Sequence, residues 1–126
     1  MSSELDAIDE ADRQRDARRR RCVLRRLQMA RISPMGGLHG NRLLEVLDAA
    51  LLPSDRLGRD ADGLLRMARY LVDAGYITEA DARKRKSQPY AIEYRFFALT
   101  ALGEKLLCEA IGPDPMIDDD RLPEGN

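Results

Sequence analysis

Apolar residues are nearly missing from the start of the chain and return with helical spacing near Cys22. Between Ile8 and Cys22 the only apolar side chains are Ala11 and Ala17. Val23, Leu24, Leu27 and Ile32 then recur at roughly helical intervals, which predicts a first helix from about Arg18 to Arg31. Ser33-Pro34-Met35-Gly36-Gly37 should stop it, because proline lacks the amide and paired glycines disfavour helix. Asn41 is the expected N-cap of a second helix, whose apolar side is Leu43, Leu44, Val46, Leu47 and Ala50 and whose end is set by Pro53. A third helix is the clearest element. Asp60 can cap it, Ala61, Leu64, Leu65, Ala68, Leu71 and Val72 form one stripe, and Gly75 stands where a left-handed terminal residue belongs. Its opposite face carries Arg59, Asp62, Gly63, Arg66, Tyr70 and Asp73.

After Gly75 the pattern changes. Tyr76-Ile77-Thr78 reads as a strand start, Lys84 to Pro89 as a polar turn, and Ala91 to Leu99 as the return strand of a hairpin. Thr100 can cap a last helix holding Leu102, Leu106, Leu107 and Ile111. From Gly112 the tail has Pro113, Pro115, Pro123 and the acidic run Asp118 to Asp120, a composition expected to be disordered. The predicted organisation is a charged N-terminal arm over 1–21, helical or partly disordered, a packed domain over 22–111 and an acidic tail over 112–126. The fold class is mainly α with a small β-hairpin, in the order α-α-α-β-β-α, with the helical arm ahead of it.

Composition adds limits rather than direction. The 126 residues suffice for one domain with a modest core; 34% charged against 5% aromatic residues, with no Trp, favours a helical core of Leu, Ile, Val, Ala and Met. Lys+Arg 21 against Asp+Glu 22 leaves a net charge of −1, so any affinity for nucleic acid must come from local clusters. The arm is sorted by sign: Glu4, Asp6, Asp9, Glu10, Asp12 and Asp16 lead, and Arg13, Arg15 and Arg18 to Arg21 follow. Acid ahead of base suits the helix dipole, and Asp9–Arg13 and Asp16–Arg20 have supporting i,i+4 spacing. Cys22 and Cys108 lie in apolar helical patterns without CxxC partners and are read as buried free thiols of a reducing compartment. No apolar run reaches the roughly 18 residues of a membrane span, and the acidic, polar start is unlike a secretory signal. A cytoplasmic protein without membrane contact is expected.

A third helix ending in Ala74-Gly75-Tyr76-Ile77, then a hairpin, then a return strand running into Leu99-Thr100-Ala101-Leu102-Gly103, resembles the winged helix-turn-helix regulators of the PadR and MarR kind. Gly37-Leu38-His39-Gly40 is similar to the "LHG" that opens the second helix of PadR-type domains. The resemblance covers about Cys22 to Ile111. A looser one, resting on architecture and on the third helix, is to small winged-helix proteins of Mu-like prophages. Both imply the winged-helix fold; the first implies a homodimer that presents its third helix to the major groove of double-stranded DNA, and the second leaves the role open between DNA binding and another.

On that resemblance Arg59, Asp62, Gly63, Arg66 and Tyr70 become candidate DNA contacts. Arg66 is placed to fork onto a guanine edge and Arg59 to hold a phosphate. Arg83, Lys84, Arg85 and Lys86 would form a basic wing tip, and Arg19, Arg20 and Arg21 of the arginine run a further electrostatic contact. Blander readings stand beside these. Asp60, Asp62 and Asp73 make the helix face one of mixed charge, ordinary for a solvated surface. Four adjacent basic residues on a loop attract any polyanion, and the arm's arginines can pair with the acidic segments or line an interface.

Catalytic chemistry finds no footing. His39 is the lone histidine, no Cys cluster accompanies it, and the serines lack a nucleophile-elbow pattern. Gly36-Gly37-Leu38-His39-Gly40 lacks the Lys-Ser/Thr of a phosphate loop. Tyr70, Tyr76, Tyr90, Tyr94, Phe96 and Phe97 are read as core or wing packing. The expectation is a DNA-binding transcription regulator of phage or bacterial type, not an enzyme, with no cofactor. The alternative is a winged-helix interaction or assembly module that serves a protein partner, since fold does not dictate function.

Overall fold

Between Ser3 and Ser33 there is neither glycine nor proline, and the chain there is one helix, α1 (Ser3–Ala30). The structure is a computed structural model describing residues 3–117, with side chains from Asp9 onward. The arm and the first core helix are therefore continuous, and the expected boundary at residue 21 is no structural break. Val23, Leu24, Leu27 and Ala30 turn α1 into the core. Ile32 falls beyond the helix end and is 93% exposed, so it is not part of that stripe.

A short strand, β1 (Leu38–His39), follows the glycine-rich turn. Gly37 lies so close to the strand opposite that a Cβ would run into the Phe97 carbonyl and the Phe96 ring. Extended His39 is the N-cap of α2 (Gly40–Ala50), and Asn41 lies inside the helix rather than capping it. Pairing of β1 sets where the helix begins, over the capping preference of Asn41. Leu43, Leu44 and Leu47 are its buried face. Pro53 opens a 3₁₀ turn (Pro53–Asp55), and the Asp48 carboxylate accepts the amides of Leu57 (2.8 Å) and Arg59 (3.1 Å), fixing the loop into the next helix.

Helix α3 (Ala61–Asp73) has the expected limits. Asp60 accepts the Gly63 amide at 3.0 Å, and Gly75 closes the C-terminal end at φ +86°. Its buried face is Gly63, Leu64, Met67, Ala68 and Leu71, while Leu65 and Val72 are only half-buried. The stripe thus runs nearer Gly63 and Met67 than the sequence pattern suggests, because α1 packs on that flank.

Strand β2 (Ile77–Asp81) and strand β3 (Arg95–Leu99) pair antiparallel from Ile77↔Leu99 to Asp81↔Arg95. The return strand is shorter than expected, since Ile92–Tyr94 form a 3₁₀ turn. β1 adds on the other side of β3, giving the sheet order β1-β3-β2 where a two-stranded hairpin was expected. Helix α4 (Ala101–Leu107) is capped by Thr100, which accepts the Gly103 amide at 3.1 Å and donates to the Gly75 carbonyl at 2.6 Å.

The result is mainly helical, four α-helices with a small three-stranded antiparallel sheet. Its core lies where α1, α2 and α3 meet the sheet: Val23, Leu24, Leu27, Leu43, Leu47, Leu64, Leu71, Ile77 and Phe97 are all fully buried. Two expectations are corrected at its edges. Residues 112–117 pack on the domain, with Ile117 buried, so the chain beyond Gly112 begins as an ordered strap; Asp118 to Asp120 lie outside the described residues. Cys108 is exposed and bonded to Glu104, whereas Cys22 is half-buried with its thiol pushed up by burial. Among the described residues no helix is long and apolar enough to cross a membrane.

Candidate nucleic-acid interface

The outward stripe of α3 is Asp62, Arg66, Arg69 and Asp73, spaced i, i+4, i+7, i+11 and all exposed. Arg66 is 74% exposed and only loosely paired, 3.8 Å from Asp60. Arg59 stands exposed just ahead of the helix with φ +66°, a left-handed turn held by Asp48. Arg69 was not among the sequence candidates; its signal was its i+3 spacing from Arg66.

Two α3 candidates do not belong to that stripe. Gly63 is buried, its amide serves the Asp60 cap, and a Cβ would come 2.7 Å from Asp60 Oδ2. It is there for the tight cap, not for a groove. Tyr70 is half-buried on the flank that meets α1: the Arg20 guanidinium lies 4.9 Å over its ring, and its hydroxyl donates to Asp114 at 2.9 Å. Burial first, then Asp114, pushes its phenol up.

The arginine run divides by what each side chain reaches. Arg18 clamps the buried Asp55 carboxylate with two bonds of 2.7 and 2.9 Å, which hold its carboxyl below the usual range against the opposing effect of burial. Arg19 donates to the Asp55 carbonyl at 2.6 Å and the Arg56 carbonyl at 3.1 Å, and pairs with Asp16. Arg20 donates to the Met116 carbonyl at 2.9 Å besides stacking on Tyr70. Arg19 and Arg20 therefore tie α1 to the α2–α3 loop and to the strap. Arg21 is half-buried and borders, with Arg18 and Cys22, the groove that α1 forms against Leu51, Leu52 and Asp55.

The hairpin loop, 82–94, is built around Asp81. Its carboxylate receives Arg83 Nη2 at 2.8 Å, Arg83 Nε at 3.0 Å, the Arg83 amide at 3.0 Å and Lys86 Nζ at 3.1 Å. Those bonds, Arg83 foremost, hold it far below the carboxylate range. Arg83 also donates to the Gln88 carbonyl at 2.8 Å, while Gln88 Oε1 accepts the amides of Lys84 (3.0 Å) and Arg85 (3.1 Å). Tyr90 is sandwiched between the guanidinium groups of Arg83 (4.8 Å) and Arg95 (4.3 Å), and Arg95 pairs with Glu79 at 3.2 Å. Arg83 is thus scaffold, 16% exposed, while Lys84, Arg85 and Lys86 extend into solvent. Gln88, Tyr90 and Arg95 set this tip, and nothing in their sequence spacing singled them out.

His39 lies edge-on to Phe96, and among the described residues no three His, Cys, Asp or Glu side chains gather as a metal site would need. No family model, no curated protein and no solved structure matches the chain.

Proposed function

We propose that the protein is a winged helix-turn-helix DNA-binding protein, a transcription regulator of phage or bacterial type that acts as a homodimer. In this reading α3 enters the major groove and the β2–β3 hairpin is the wing. The observation that carries it is the hairpin tip: three exposed basic side chains, Lys84, Arg85 and Lys86, on a loop whose shape Asp81, Arg83 and Gln88 set in advance. A preset loop loses little entropy on docking to a phosphate backbone. Arg59, Arg66 and Arg69 supply the positive groups of α3. Asp62 and Asp73 beside them disfavour indiscriminate phosphate contact, which suits a reader that docks only where base edges repay the approach.

Fluorescence anisotropy of a labelled random duplex, repeated over a salt series, tests the proposal. Micromolar binding that weakens steeply with salt is expected, and Arg85→Ala should lower the log–log salt slope by about 0.9 on any sequence. Arg66→Ala should cost roughly 1–3 kcal/mol on a selected site and little on random duplex. No binding at low salt, or parent-like binding by both variants, refutes it. One observation favours the alternative of a protein-interaction module: Met29, Ile32, Met35 and Leu52 are 60%, 93%, 62% and 68% exposed. Failure of the anisotropy experiment selects that reading.

A further inference from the structure

Between α1 and α2 the surface is cut by an open groove. Its wider stretch, about 600 Å³, has half-buried Cys22 and buried Leu51 low on its walls and Met29 and Leu52 at its edges, 60% and 68% exposed. A narrower stretch of about 230 Å³ lies among Ala30, Leu38 and Val46. Arg26 and Met29 border both, so the two adjoin and follow α1 from Arg18 to Ala30, about 18 Å of helix rise. Arginines line the rim. Arg18 is committed to Asp55, the one acid on these walls among the described residues, and Arg42 pairs with Glu45 at 3.0 Å. Arg26, where the stretches meet, is different. It is half-buried, its Nε is buried without an acceptor, and no carboxylate of the described residues pairs with it. A guanidinium drawn partly out of water without a counter-ion is costly, and an incoming carboxylate answers it with a forked pair of bonds.

We infer that this groove docks an amphipathic helix of a partner protein, its apolar face on Met29, Leu51 and Leu52 and one of its carboxylates on Arg26. The length suits about three turns of such a helix. A small ligand needs roughly 70–90% of its surface covered, which a groove open along its whole length does not offer, whereas a helix lays down one face only. Met29, unbranched and polarizable, adapts to the shape of what it meets. Among the described residues the chain itself supplies no such occupant. Away from the groove and the turn after α1, its exposed large apolar side chains are Tyr90, Leu102 and Met116, on three different elements. The groove takes no residue from α3 or from the hairpin tip, so the inference goes beyond the DNA-binding reading and does not depend on it.

Selection of a displayed peptide library on the full chain tests it, with peptides of about fourteen residues that are apolar at i, i+3, i+4 and i+7 and varied elsewhere. The selected peptides should carry Asp or Glu at one fixed place beside the apolar face and bind with micromolar dissociation constants by fluorescence anisotropy. Met29→Glu and Leu52→Glu, at exposed positions outside the core, should each weaken binding about tenfold or more. Arg26→Met should erase the preference for an acidic peptide over its glutamine version. Bound peptide should also slow alkylation of Cys22 by iodoacetamide, with Cys108, outside the groove, as the internal reference. A library that yields no binder, binders that ignore Met29→Glu and Leu52→Glu, binders without an acid, or an unprotected Cys22 each overturns the inference. Should Arg26→Met lose its cooperative melt, the two exposed variants decide alone. No DNA enters these measurements, so failure here leaves the duplex-binding result untouched.

Discussion

Asp55 is the buried charged residue among the described residues, 2% exposed, and its removal should be among the costlier single changes in the protein. Two Arg18 bonds of 2.7 and 2.9 Å compensate its carboxylate and join α1 to the turn after α2. Breaking a buried pair costs about 3–5 kcal/mol when the orphaned charge stays buried. Here Arg18 is 41% exposed and can rehydrate, and the Arg19 bond goes to the Asp55 backbone and survives substitution. Asp55→Ala should therefore destabilise by about 2–3 kcal/mol, in the range of lost charge-assisted bonds, and lower Tm by about 8–12 °C in a domain of this size. Thermal melts followed by circular dichroism measure it. The penalty also has a pH signature. The folded carboxyl titrates below its unfolded value of about 3.9, so its stabilisation is complete above that value and is lost as pH falls through the depressed folded value. The gap between parent and variant should stay constant from neutral pH down to about pH 5 and close below about pH 4. A neutral-pH melt within about 2 °C of the parent would show that the pair contributes no net stability.

Two further outcomes follow from contacts around α3 and α4. Burial, then Asp114, pushes the Tyr76 phenol up to about 12, so its contribution is intact below the ordinary value near 10 and fades as pH rises toward about 12. In Asp114→Asn, ultraviolet titration should show tyrosinate appearing at lower pH, and an unmoved onset would count against the strap contact. Gly103→Ala would drive a Cβ into the Tyr76 carbonyl and should cost about 1–3 kcal/mol in urea melts. Gly112→Ala, with open space around it, should melt like the parent, and equal effects at the two positions would refute the close approach.

What was legible in the sequence was local. Asp60 and Gly75 bound α3, and Thr100 opens α4, because a cap is made within three residues of the backbone group it satisfies. The hairpin after Gly75 followed from the change of residue type at Tyr76. Strand β1 was not legible, since two residues carry no periodicity and Leu38 is a strand only through Phe97, far along the chain. The strap escaped for the same reason: Asp114 finds partners in Tyr70 and Tyr76, and a proline-rich composition says nothing about them.

The candidate site divides along the same line. Charge clusters were visible as clusters, but adjacent arginines are chemically alike until the fold places Asp55 beside Arg18 and Arg19, and Tyr70 and Met116 beside Arg20. The helical face of α3 was readable to within one residue's turn. Only the packing of α1 decided that Gly63 and Tyr70 face inward and that Arg69 joins Arg66 outside. By itself the sequence determined where the helices of the domain lie and what charge they bear, since propensity, capping and periodicity act over a few residues. Which of those charges remain for a partner was decided by tertiary structure, because a guanidinium held on a carboxylate or a carbonyl has already exchanged its water for protein.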